Sequence, residues 1–150
     1  QQLKERLLKL DSGQFERVIG ELLKALGMER VTVTGRTNDG GIDAEGAIPF
    51  INIKVAVQAK RYAPENSVGI DPVQRLLGSV VSGGFDRGIF ITTSSFTAGA
   101  RETAGQGGSK VVLLDGGKLV DIMVEKGLGI REVPIVKKEL DEGFFGSIAA

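Results

Sequence analysis

The sequence predicts an α/β fold, a mixed β-sheet flanked by helices on both faces. Three observations carry that reading. Short β-branched or apolar stretches alternate with amphipathic stretches of helical period, in the order α-β-β-β-α-β-α-β-α. The first strands are joined by short turns and the later ones by helix-length segments, which implies antiparallel pairing first and parallel pairing afterwards. Gly88-Ile89-Phe90-Ile91-Thr92-Thr93 is a continuous run typical of a strand buried on both sides.

Residues 1–12 form a leading helix or a linker, with an irregular apolar pattern. In Gln14–Leu26, Phe15, Val18, Ile19, Leu22, Leu23 and Leu26 share one helical face; Asp11 or Ser12 can cap its start, and Gly27 ends it. Val31–Thr34 is β-branched throughout and reads as a strand. Gly35–Gly41 is a polar turn. Strands at about 42–47 and 51–60 flank Ile48-Pro49-Phe50 as a hairpin. Asp71 is expected to cap a helix over Pro72–Val81, which Gly83-Gly84 stops. After the strand at 88–93, a helix starts at Thr97 and runs to about Ala104, broken by Gly107-Gly108. Lys110–Asp115 is a strand and Gly117–Lys126 a helix. Residues 134–150 read as a peripheral strand or a loose tail. No repeat or long linker divides the chain, so 1–150 is expected to be one domain.

The 150 residues suffice for a sizeable core, and 41% hydrophobic with 25% charged residues is ordinary for a globular chain. No apolar run is long enough to cross a bilayer and no leader pattern is visible, so no membrane association is expected. A chain that starts at Gln1 suggests a piece of a longer protein. There is no cysteine and no histidine, which excludes disulfides, thiolate or imidazole metal ligands, a Ser-His triad and a histidine base. Catalysis would have to run on carboxylates, amides, hydroxyls and cations, with hard oxygen-liganded metals such as Mg²⁺ or Mn²⁺. Nineteen basic residues balance nineteen acidic ones, which counts mildly against a nucleic-acid partner. The glycines form neither a dinucleotide-binding fingerprint nor a Walker motif.

Two segments stand out: Asp39-Gly40-Gly41-Ile42-Asp43 and Val57-Gln58-Ala59-Lys60-Arg61. Alternation along a strand puts Lys54, Ala56, Gln58 and Lys60 on one face. If the strands around 42–47 and 51–60 pair antiparallel, Asp43 comes beside Gln58 and Lys60. A carboxylate, an amide oxygen and an ammonium gathered at a strand end are the parts of a metal-dependent phosphodiesterase. The spacing alone also fits a plain hairpin turn and the solvated face of an edge strand.

Here the chain resembles the catalytic domain of Mrr-type (type IV) restriction endonucleases, the QxK variant of the PD-(D/E)xK nuclease superfamily. The matching stretches are Phe15-Glu16 with Leu22-Leu23, Asp39–Asp43, Gln58–Tyr62, and Gly88–Thr97 followed by Ala100. The resemblance spans Phe15 to about Lys126 and implies a restriction-endonuclease-like fold. It implies that Asp43, Gln58 and Glu16 hold Mg²⁺ or Mn²⁺, that Lys60 is the catalytic lysine, and that all four are catalytic positions. Glu16 is equally readable as an ordinary first-turn carboxylate. Arg61, Tyr62, Thr93 and Ser94 are candidate DNA contacts; the first two could instead cover the sheet edge, and the others cap a helix. Arg36, Lys54, Arg75, Arg87 and Arg101 are weaker candidates for phosphate contact.

The implied function is a Mg²⁺-dependent DNA endonuclease restricting foreign or methylated DNA in a prokaryotic cytoplasm, with a homodimer and a separate DNA-recognition domain as expected partners. Two alternatives stay open: a catalytically silent nuclease-fold module that binds DNA or protein, and a structure-specific nuclease acting on junctions or ends.

Overall fold

The computed structural model describes residues 1–34, 41–106, 108 and 110–149. Residues 35–40 of the expected turn over Gly35–Gly41, with Arg36, Asp39 and Gly40, lie outside them, as does Gly107 of the expected helix break. Among the described residues, five strands form one sheet in the order β1-β2-β3-β4-β5. The strands are β1 (Glu29–Val33), β2 (Ala44–Ile48), β3 (Ile53–Lys60), β4 (Arg87–Thr92) and β5 (Val111–Leu114). The first three pair antiparallel, and β3-β4 and β4-β5 pair parallel. The helices are α1 (Gln2–Leu8), α2 (Ser12–Ala25), α3 (Ile70–Ser82), α4 (Ala98–Gln106), α5 (Gly116–Glu125) and α6 (Glu142–Ala149). Mixed topology and helices on both faces are thus as the sequence predicts.

The core lies in two layers. On one face Leu7, Phe15, Ile19, Leu22, Leu23, Leu119 and Met123 pack on Val55, Val57, Ala59 and Ile91, so α1, α2 and α5 cover that side. On the other, Val73, Leu76, Val80, Ala100 and Ala104 of α3 and α4 meet Ala56, Phe90 and Val111. The alternation of Val55, Val57 and Ala59 against Ala56 is the strand period at work. Helix α2 approaches β1 so closely that a Cβ on Gly20 would stand 2.6 Å from Val33 Cγ2.

Local chemistry sets the element ends. Asp11 caps α2 through a reciprocal pair: its carboxylate accepts from Gln14 N at 2.7 Å, and Gln14 Oε1 accepts from Asp11 N at 2.9 Å. Helix α3 begins earlier than expected, with Gly69 as its N-cap, which moves Asp71 into the first turn. Proline at the third helical position is tolerated there because that N–H has no partner inside the helix. Asp115, expected inside a strand, instead caps α5 by accepting from Lys118 N at 3.0 Å. The hairpin turn is longer than expected, and β3 begins at Ile53, because Phe50 and Asn52 both take positive φ (69° and 51°). The tail also differs: 142–149 is helical, with no buried residue, where a strand or loose segment was expected.

Candidate active site

The chain enters the site through Gly41, whose φ of +75° favours glycine. Asp43 follows, immediately before β2. Its N–H donates to Val57 O at 2.8 Å, which holds it against β3 just beyond the last strand pair, Ala44↔Val57. That register delivers the Asp43 carboxylate to the end of β3. There Oδ2 accepts from the Ala59 N–H and from Gln58 Nε2, each at 2.8 Å. The carboxylate thereby takes the place that a longer β2 would occupy.

Glu16, from the second turn of α2, reaches the same point, close enough for its carboxyl and that of Asp43 to act on each other. Glu16, Asp43 and Gln58 are 8%, 6% and 4% exposed. Burial pushes the Glu16 carboxyl above its ordinary range, and the neighbouring Asp43 carboxyl pushes it further. Asp43 is raised too, chiefly by burial, against the opposing pull of the Ala59 N–H, Lys60 and Glu16. The Lys60 ammonium therefore stands close enough to act on both acids, and it is only half-buried at the strand's open end.

The four residues that the sequence assigns to catalysis are thus gathered in one place. Gln58, however, presents its amide nitrogen to Asp43. Its oxygen lies against Gly41, where a Cβ would collide with it. Glycine at 41 is needed for space as well as for φ.

Two buried acids of raised pKa with one lysine beside them leave an excess of negative charge and of oxygen donors. That donor set fits a hard divalent cation, which Asp43 and Glu16 would hold. Among the described residues no group of three His, Cys, Asp or Glu occurs, so a bound ion would depend on this pair.

The expected DNA contacts fare differently. Thr93 and Ser94 are 0% and 5% exposed, and their hydroxyls donate to the carbonyls of Tyr62 (2.6 Å) and Asn66 (2.8 Å). Arg61 turns back to Leu8 O at 3.1 Å, and Tyr62 packs partly buried against the α3/α4 layer. Lys54 and Arg87 lie at the end of the sheet away from Lys60, and Arg101 pairs with Asp115 at 3.6 Å. The sequence reading grouped Thr92 with Thr93 and Ser94 as hydroxyls open to a phosphate; its buried hydroxyl donates to Lys60 O at 2.9 Å.

Comparison with known proteins identifies the family. The model of a restriction endonuclease family, Mrr_cat, matches residues 7–123. The chain is 36% identical over 149 residues to the type IV methyl-directed restriction enzyme EcoKMrr of Escherichia coli strain K12. That match covers 94% of this chain and 47% of the relative, so the chain spans about half of that enzyme's length. Among solved structures, the DNA modification-dependent restriction endonuclease AspBHI superposes with a TM-score of 0.69 at 24% identity, over 87% of this chain and 37% of that one. The MspJI restriction endonuclease in complex with a 27-mer oligonucleotide gives a TM-score of 0.54 at 25% identity, over 82% and 28%.

Proposed function

Since this chain belongs to the Mrr_cat restriction endonuclease family, we propose that it is the catalytic domain of a Mg²⁺- or Mn²⁺-dependent DNA endonuclease restricting foreign or methylated DNA. The observation that carries the reading is the convergence of Glu16, Asp43, Gln58 and Lys60 at the open end of β3. The relatives' names point the same way. EcoKMrr is methyl-directed, AspBHI depends on DNA modification, and MspJI was solved with an oligonucleotide.

Asp43 and Glu16 are the residues that would hold the cation. When bound, a divalent ion supplies Lewis acidity at the phosphoryl oxygen and lowers the pKa of a bound water. Gln58 orients Asp43 by donating to Oδ2, and turning its amide over would present the oxygen assigned to the cation by the sequence. Lys60 places a positive charge where negative charge builds on the phosphoryl group, and can orient the attacking water. Arg61 and Tyr62 flank Lys60 on the segment leaving the site and are the nearer candidates for contact with the strand.

Target choice would reside in a separate recognition domain, and cutting both strands would call for two copies of this site. The setting is a prokaryotic cytoplasm; among the described residues no helix is long and apolar enough to cross a membrane. The test is nicking of supercoiled methylated and unmethylated plasmid with Mg²⁺ or Mn²⁺, comparing the parent with Asp43→Ala and Lys60→Ala. Metal-dependent cleavage lost in both variants is expected. DNA binding without cleavage under either metal would make the chain a silent binding module.

A further inference from the structure

Building on the nuclease reading, we propose that Thr92, Thr93 and Ser94 are positioning residues, a clamp of hydroxyls that fixes Lys60 and the segment after it. Strand β2 pairs with β3 only as far as Val57. Beyond that point the β2 side of β3 is held by the Asp43 carboxylate on Ala59 N. The other side must hold the residues that carry the chemistry, and β4 does so: Gln58, Ala59 and Lys60 lie opposite Phe90, Ile91 and Thr92.

The side chains that follow continue the grip after the strand ends. Thr92 Oγ1 donates to Lys60 O at 2.9 Å, and that carbonyl also accepts from Tyr62 N at 3.2 Å and Thr93 N at 3.3 Å. Thr93 Oγ1 donates to Tyr62 O, and Ser94 Oγ to Asn66 O. Val68 N then donates to Ser95 O at 2.8 Å, and Thr97 N to Val68 O at 3.0 Å. Successive residues of 92–97 therefore fasten successive points of 60–68.

The same geometry argues against phosphate binding by these hydroxyls. A hydroxyl has a single proton to give. With that proton spent on a backbone carbonyl, only lone pairs remain, and these repel phosphate oxygens. What the clamp provides is placement of the lysine. Misplacing a reacting group by about 1 Å can cost roughly a hundredfold in rate.

The experiment compares Thr92→Val, Thr92→Ser, Thr93→Val and Ser94→Ala with the parent. Cleavage kinetics are measured on plasmid DNA with Mg²⁺ or Mn²⁺, and amide hydrogen exchange of the 60–68 segment without metal or DNA. Thr92→Val keeps the volume and loses the donor. We expect kcat to fall about tenfold with KM little changed, and exchange in 60–68 to rise about tenfold, as for the loss of one hydrogen bond. Thr92→Ser restores both. Thr93→Val and Ser94→Ala speed exchange at Tyr62–Val68, and they carry the test if Thr92→Val does not fold. Unchanged exchange in the variants, failure of Thr92→Ser to restore, or a rise in KM in place of a fall in kcat would each overturn the clamp. A parent that cleaves nothing sinks the nuclease reading alone, because the exchange comparison still decides the clamp.

Discussion

Replacing Asp43 with Asn should abolish cleavage and yet make the metal-free protein more stable. The structure gives the reason. Asp43 Oδ2 accepts from Ala59 N and Gln58 Nε2, and an Asn carbonyl oxygen can accept from both. The other carboxylate oxygen becomes an NH₂ group, which can donate toward Glu16, whose carboxylate the charge of Asp43 now opposes. A repulsive contact is exchanged for a hydrogen bond to a charged group, worth about 1.5 kcal/mol in a buried setting. For a domain of this size that is a rise of about 3–6 °C in melting temperature. The pH dependence follows from the direction of the shifts. Both acids are raised in the folded state, so the parent is best off below the ordinary carboxylate range and loses stability as pH rises through the folded values. The advantage of Asp43→Asn should therefore be smallest at acid pH and grow toward neutrality, as the parent's acids lose their protons. Thermal melts in EDTA at a series of pH values would show it. Adding Mg²⁺ should raise the parent's melting temperature through linkage and leave the variant's unchanged. A variant that melts lower than the parent at neutral pH, or whose advantage ignores pH, would refute the account of the paired acids.

Lys60→Met should reduce cleavage by at least about a hundredfold, as expected for loss of a charge at the transition state, and melt lower than the parent at neutral pH, because the ammonium that opposes the two buried acids is gone. Gly41→Ala should cost roughly 1–3 kcal/mol through its left-handed φ, and its cleavage should fall as far as that of Gln58→Ala, because the new methyl displaces the Gln58 amide; denaturant titration beside a nicking assay checks both. Asp11→Ala removes the reciprocal cap of α2 and should cost about 1 kcal/mol with no change in cleavage per folded molecule. Deleting 142–149 should leave the melting temperature within about a degree, since no residue of α6 is buried.

Much of this site was readable before any coordinates. The spacing of Gln58 and Lys60 gave their shared face, and a hairpin between 43 and 58 was enough to bring Asp43 alongside. Glu16 was harder, because a helix period says which face a residue occupies and nothing about which strand end that face meets. The amide orientation of Gln58 was beyond reach, since it depends on the bare Cα of Gly41 beside it. The partners of Thr93 and Ser94 were hidden for a related reason: a hydroxyl after a strand looks alike whether it faces solvent or a neighbouring loop. The helix at 142–149 was missed because its apolar residues, Phe144, Phe145 and Ile148, meet no core that would reveal their period.

The double hold on Asp43 Oδ2 limits how this aspartate can be used. One oxygen is already saturated by the strand amide and the glutamine, so only Oδ1 has lone pairs to offer, and a visiting ion would be gripped through a single atom. Lengthening the side chain by one methylene would push that grip outward and break the two internal bonds together. A glutamate here would be a poor substitute although it carries the same charge.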